Sequence, residues 1–350
     1  MSHAVPYSML DLAPVAEGAT PADAFRHARD LACHAEGWGF ERYWLAEHHN
    51  MPGIASAATA VVIGHVAAAT TRIRVGAGGI MLPNHSPLVI AEQFGTLESL
   101  FPGRVDLAVG RAPGSDGITA RALRRDNIQA AERFPQDVQE LLSLFAPVQP
   151  GQAVQAVPGG GLGVPVWILG SSLFGAQLAA ALGLPYAFAS HFAPDALMQA
   201  IAVYRRYFTP SPWRARPHVM PCVGVFIAET DAAARRLFST AQQQFTNLFR
   251  GAPGKLQPPL DDMDAYWTPA ERNGVNHALQ YAVVGSPTSA RLQLEEFMAA
   301  TRADELMLTA QIFDHTARLR SFEYAAEIVS GLGVQAVGKE GTPAREVAMA

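Results

Sequence analysis

Short apolar runs alternate along this chain with longer stretches of helical period. Val5–Leu12, Glu41–Ala46, Arg74–Met81, Arg104–Val109, Val164–Leu169, Tyr186–Ala189, Met220–Ala228 and Asp304–Thr309 read as strands. Helices are expected at Pro21–Glu36 (ended by Gly37), Ile54–Thr70, Leu88–Leu100, Leu123–Phe145, Leu173–Leu182, Pro194–Phe208, Asp231–Phe249 and Phe313–Ser330. Pro147–Gly163 is a Gly/Pro-rich link, read as a loop or short hairpin.

Eight strands, each followed by a helix, point to an α/β fold, a parallel TIM (β/α)8 barrel. A doubly wound sheet is the rival. It usually opens with a glycine-rich turn after its first strand, and here Asp11-Leu12-Ala13-Pro14 stands in that place. One domain is expected over residues 1–330, with an irregular tail at 331–350. Gly251–Gly274 breaks the alternation before the eighth strand: it holds Pro253, Pro258, Pro259 and Pro269 around Tyr266-Trp267. Long insertions of this kind are often lids, and the two aromatics favour a lid that reaches a pocket over a passive surface loop.

Composition agrees with one large domain. The 350 residues are 49% hydrophobic and only 16% charged, which suits a big core with limited surface. A net charge of −5 without a basic stripe argues against nucleic acid as a partner. Cys33 and Cys222 lack the spacing of a disulfide framework or a zinc site. With neither a signal peptide nor a membrane-spanning run in view, a cytoplasmic protein is expected.

In a barrel the chemistry lies at the C-terminal ends of the strands. The residues there are Asp11; Glu47-His48-His49-Asn50; Gly78-Gly79 with Pro83-Asn84-His85; Gly110-Arg111 through Asp116; Gly170-Ser171-Ser172; and Ser190-His191. Gly170-Ser171-Ser172 precedes a helix, whose free N–H groups and partial positive charge suit phosphate. Plain N-capping is the simpler reading of the serines. Arg111 would reach the same rim and complete an anion site, unless it pairs with Asp116 or Glu98. Gly76 to Gly79 lack P-loop spacing and would instead let a flat ligand approach the backbone. On a strand Glu47 and His49 share one face and His48 takes the other. Asp11 and His191 could add metal ligands, but no His-x-His follows the first strand. A single inward histidine for acid–base work is favoured over a metal site or a structural histidine.

Trp44-Leu45-Ala46-Glu47-His48-His49-Asn50, Val75 through Pro83, Leu88–Phe94 with Pro102-Gly103-Arg104, Val109 through Asp116 and Leu169-Gly170-Ser171-Ser172 together resemble the luciferase-like monooxygenases, in order and spacing, from Val5 to about Ser330. The resemblance implies a barrel that binds FMN. Its phosphate would lie against Arg111, Gly170, Ser171 and Ser172, and its ring over Gly78 and Gly79, which match a non-proline cis peptide of the family. Asp11, Ser190 and His191 would close the pocket. His48 matches the family's catalytic histidine, which protects or protonates flavin–oxygen intermediates, and Gly251–Gly274 matches its mobile loop. Reduced FMN would come from a separate flavin reductase and, with O2, oxidise a small organic substrate. A homodimer through Ala22–Glu36 and Ala55–Ala69 is expected by analogy, with no membrane partner. A deazaflavin in place of FMN, a flavin-holding protein without turnover, and a metal-dependent hydrolase are the alternatives.

Overall fold

A computed structural model describes residues 5–112, 117–123 and 131–332. Helix starts follow local chemistry. Thr20 closes a capping box with Asp23 ahead of α1 (Pro21–Gly37), with Pro21 in the first turn. Thr230 caps α8 (Asp231–Phe249), and Thr268 and Glu271 box the start of α9 (Pro269–Ala278).

Eight parallel strands form a closed ring: β1 (Tyr7–Asp11), β2 (Arg42–Leu45), β3 (Arg74–Met81), β4 (Val105–Gly110), β5 (Val166–Gly170), β6 (Tyr186–Phe188), β7 (Val219–Ile227) and β9 (Leu306–Thr309). Met9 sits beside Tyr43 on one side and Leu308 on the other, and Tyr186 beside Val219 closes the far seam. This is a TIM barrel. Around it run α2 (Thr59–Ala67), α3 (Pro87–Leu100), α4 (Gly117–Ala122), α5 (Phe134–Phe145), α6 (Leu173–Leu182), α7 (Leu197–Tyr207), α10 (Pro287–Thr301) and α11 (His315–Ser330).

Several features differ from the sequence reading, among them helix α4 and helix α9, the latter starting inside the insertion read as irregular. A short strand, β8 (Val283–Gly285), pairs with the far end of β7 outside the ring. Helix α10, inside the stretch between insertion and last strand, has no counterpart among the expected elements. Helix α2 starts at Thr59 rather than Ile54. The tail from residue 333 onward and part of the Leu123–Phe145 stretch lie outside the described residues. Among those described, no helix is long and apolar enough to cross a membrane.

Alternation along each strand sorts side chains into two cores. Outward residues such as Met9, Tyr43, Val75 and Leu107 pack under the helices. Inward residues stack in three levels. At the bottom Arg42 bridges Asp106 (2.7 Å) and Glu305 (2.9 Å), Arg74 holds Asp106 (2.7 Å), and His218 meets Glu305 (3.1 Å). Burial pushes the Glu305 pKa up, but His218, Arg42 and Ser8 outweigh it and hold the carboxyl at about 2. Above lies an apolar level with Trp44, Ala108, Trp167, Met220 and Met307, where Trp44 and Trp167 meet edge to face at 5.1 Å. The top level is open.

Asp11 turns the other way, into the strand–helix layer. Arg318 of α11 donates to its Oδ1 at 2.6 Å, Tyr43 donates to its Oδ2, and the Ala13 N–H to Oδ1 at 3.0 Å. Burial raises the Asp11 pKa, but these partners outweigh it, so the carboxyl stays ionised. Arg318→Ala strands that charge without a counter-ion. A loss of about 3–5 kcal/mol is expected in urea unfolding; a loss below about 1 kcal/mol would show that the pair is not what ties α11 to the barrel.

Candidate active site

The strands' C-terminal ends surround a cavity of about 730 Å3, ordinary for a small-molecule or cofactor site. Its floor is Leu10, Trp44, Met220 and Met307. The β3 wall is built for close approach. A Cβ on Gly78 would lie 2.8 Å from the Trp44 ring, and one on Gly79 would lie 2.7 Å from the Ala108 carbonyl oxygen, so neither position has room for a side chain. The peptide between them is cis, as the resemblance implies. There the β3–β4 register slips by one residue: Gly78 faces Ala108 and Ile80 faces Val109. Gly78 lines the cavity, whereas Gly79 turns its carbonyl to the Glu47 N–H at 3.2 Å.

At one side of the mouth Arg111 follows β4, and Gly170 ends β5 with Ser171-Ser172 after it, all lining the cavity. The Arg111 guanidinium lies 4.1 Å from the centre of the Phe174 ring. Glu98 is not its partner: its carboxylate accepts from the Gly103 and Val105 N–H groups at the opposite end of β4. Asp116, the other candidate, lies outside the described residues. Ser172 holds the N-cap position of α6 without using its side chain to cap. The hydroxyl is therefore available to a ligand, together with the free N–H groups of the first turn.

The end of β2 carries the titratable chemistry. Glu47 is buried on the side away from the cavity. Its Oε1 accepts from His49 (2.7 Å), His85 (2.9 Å) and Asn84 (3.2 Å), and its Oε2 from the Met81 N–H (2.9 Å). Burial works against ionisation, but these donors hold the Glu47 pKa at about 2, and the same contact raises that of His49. Glu47, His49 and His85 bring ligand-type atoms within 4.8 Å of one another. The carboxylate is already saturated by donors, which describes a hydrogen-bonded anchor.

With Glu47 fixed outward, alternation turns His48 inward. His48 and His191 both line the cavity, and neither Nδ1 has a hydrogen-bond partner. Burial lowers the His48 pKa, and His49 adds to the effect against the pull of Glu47. Burial, with repulsion from His48, pushes His191 down to about 3. At neutral pH each imidazole is uncharged, offering one donor and one acceptor.

Asp11 and Ser190, expected at the pocket, are not in its lining. Asp11 is spent on Arg318. Ser190 is buried and donates to the Cys222 carbonyl at 2.6 Å, tying β6 to β7. Tyr266 and Trp267 also miss the cavity. Tyr266 packs on Arg250 and donates to Asn247 at 2.8 Å, and Trp267 donates to Asp264 at 3.2 Å. The insertion instead covers the mouth with Gly251, Pro253 and Gly254. It is held there by Leu256, whose N–H donates to Val15 O (3.0 Å) and whose carbonyl accepts from Glu17 N (2.8 Å). Gln244, Thr309 and Gln311 line the cavity and were missed. Their signal was present: Met307, Thr309 and Gln311 keep the strand period of two, and Ala241, Gln244, Phe245 and Leu248 keep the helix spacing of three and four.

Because the fold holds His48 and His191 neutral, the unfolded chain takes up protons that the folded chain refuses below about pH 6.5. Stability therefore falls as pH drops from about 6.5 toward about 3 for His191, by about 1.4 kcal/mol per pH unit for a fully refused proton. His191→Gln should flatten urea-unfolding stability against pH over that upper range. An unchanged slope would show that His191 accepts its proton in the folded state.

The luciferase-like monooxygenase profile matches residues 6–305. A luciferase-like monooxygenase of Escherichia coli strain K12 is 53% identical over 324 residues, covering 93% of this chain and 97% of that protein. The crystal structure of apo-MsnO8 superposes with a TM-score of 0.82 at 35% identity, over 94% of this chain and 99% of that one. The oxygenating constituent of 3,6-diketocamphane monooxygenase from Pseudomonas putida, solved with FMN, shares the fold with a TM-score of 0.71 at 16% identity, over 95% and 100% of the two chains. The sequence match, the barrel and the relatives agree: this chain belongs to the luciferase-like monooxygenase family.

Proposed function

We propose that this protein is an FMN-dependent monooxygenase that uses reduced FMN, delivered by a separate reductase, and O2 to oxidise a small organic substrate. One observation carries the reading: Arg111, the serine-lined start of α6, the close-approach surface at Gly78 and the inward His48 all meet in one cavity.

The residues fit that cofactor. Arg111, Ser171, Ser172 and the free N–H groups of α6 supply charge-assisted donors for a terminal phosphate. The missing side chain at Gly78 makes room for Trp44 and Leu10, and a flat ring can lie on the surface that the Gly78 backbone and these two side chains present to the cavity. The unpartnered Nδ1 atoms of His48 and His191 await polar atoms of a ligand. When bound, reduced flavin supplies the electrons that activate oxygen. The chain's own part is to bind, orient and exclude water. His48, neutral at pH 7 and beside the Gly78 surface, holds or moves a proton at Nδ1. The Gly251–Gly254 segment and the apolar floor keep bulk water from the reacting atoms. A second copy is expected to pack on α1 and α2, where Val61 stands 73% exposed.

Two variants test the assignment. Arg111→Ala is expected to weaken FMN binding about 10- to 100-fold in an anaerobic titration, as a charge-assisted contact is lost. Unchanged affinity, or a preference of the parent protein for a deazaflavin, overturns the FMN assignment. His48→Ala should bind FMN within about twofold of the parent and release hydrogen peroxide faster once oxygen is admitted. Equal peroxide release would make His48 a structural residue.

A further inference from the structure

The wall of the cavity on the β7, β9 and α8 side is chemically unlike the Arg111 side. In the ring β9 stands opposite β4, so Thr309 and Gln311 face the rim that carries Arg111. β7 presents Met220, Cys222, Gly224 and Phe226 to the cavity, and α8 presents Ala241, Phe245 and Leu248, a continuous apolar surface. Three neutral polar side chains interrupt it. Gln244 Oε1, Thr309 Oγ1 and Gln311 Oε1 are each buried without a hydrogen-bond partner, and Thr309 is only 6% exposed.

Buried polar groups are usually paired, and away from the cavity this chain pairs most of them, as the donors around Glu47 and Asp11 show, with Arg214 Nε an exception. Three unpaired atoms on one apolar wall point instead to a partner carried by a ligand. The charge of that partner follows from the lining. Among the described residues it contains no Asp or Glu, and Arg111 is its only Lys or Arg. An ammonium would find no counter-charge, and a carboxylate would find one only on the opposite rim. Burying either against β7 and β9 is costly. An amide or hydroxyl suits the wall, since glutamine offers both a donor and an acceptor and threonine can be either.

We propose that Gln244, Thr309 and Gln311 are the specificity-determining set of this cavity, and that its substrate is a small, uncharged, mostly apolar molecule bearing one hydrogen-bonding group of the amide or alcohol class. The inference rests on reading the cavity as a flavin-and-substrate site. The hydrocarbon body lies along Met220, Phe226 and Phe245, and the polar group meets the three side chains across from the phosphate corner.

Binding of hexanamide, hexanol, hexanoate and hexylamine to the full-length protein, followed by tryptophan fluorescence, tests this, since Trp44 lines the cavity floor. FMN affinity is measured separately on the same samples. Hexanamide and hexanol are expected to bind at least about tenfold more tightly than the two ions. Thr309→Val and Gln311→Leu should each weaken hexanamide by about tenfold with FMN affinity unchanged. Equal affinity for all four probes in the parent protein overturns the proposal without recourse to a variant. So does full retention of hexanamide binding by both variants, or a loss of FMN binding instead, which would give the set to the cofactor. If the parent protein binds no FMN yet still selects the neutral probes, the flavin reading fails and the neutral-ligand wall stands.

Discussion

The Glu47 carboxylate organises the site. It is buried where β2 ends, and it collects donors from its own strand end through His49, from the end of β3 through Met81, and from the segment after it through Asn84 and His85. A saturated buried carboxylate tolerates little displacement, because every donor it releases is itself left unpaired. Neighbouring residues on an extended chain point to opposite sides, so fixing Glu47 outward commits His48 to the cavity. The Glu47 N–H meanwhile bonds the Gly79 carbonyl. One residue thus sets both the inward histidine and the β3 surface beside it.

The barrel interior shows how a parallel sheet buried on both faces can still carry function at one end. Charges concentrate at the bottom, where Arg42 and Arg74 share Asp106. The network is coupled upward through the Arg42 guanidinium, 5.0 Å from the centre of the Trp167 ring. The indoles then fill the section that a narrow barrel leaves between its strands. Above that level Glu47 keeps its own network outside the cavity, while His48, His191, Gln244, Thr309 and Gln311 leave unpaired atoms around the cavity.

Most strands and helices were legible because each is short, apolar and bounded by recognisable starts: Thr20 before Pro21, Ser86 before Pro87, Thr230 before Asp231. Alternation aimed His48 into the cavity opposite Glu47, but it put His49 on the far face, whereas His49 lines the cavity while its Nε2 reaches Glu47. Asp11 was misplaced because its partner, Arg318, is 307 positions away, and no local pattern announces an ion pair formed between the first strand and the last helix. Ser190 lies two residues beyond a three-residue strand, too short for period to say which way its hydroxyl turns. Strand β8 exists only because β7 runs past the ring and offers a free edge. Tyr266 and Trp267 looked like pocket residues because exposed aromatics invite a ligand, yet Arg250 and Asn247 already occupy Tyr266, and Asp264 holds the Trp267 ring N–H.

The indole level beneath the cavity makes the site a blind well. Leu10, Trp44, Met220 and Met307 close its floor, and the ion-paired level lies below them, so a ligand enters from the strands' C-terminal ends. A ligand seated beneath another would have to arrive first and leave last. Order of addition is then a property of the container before any affinity is considered, and a slow step at the doorway delays both occupants at once. In such a vessel, turnover is a matter of queueing.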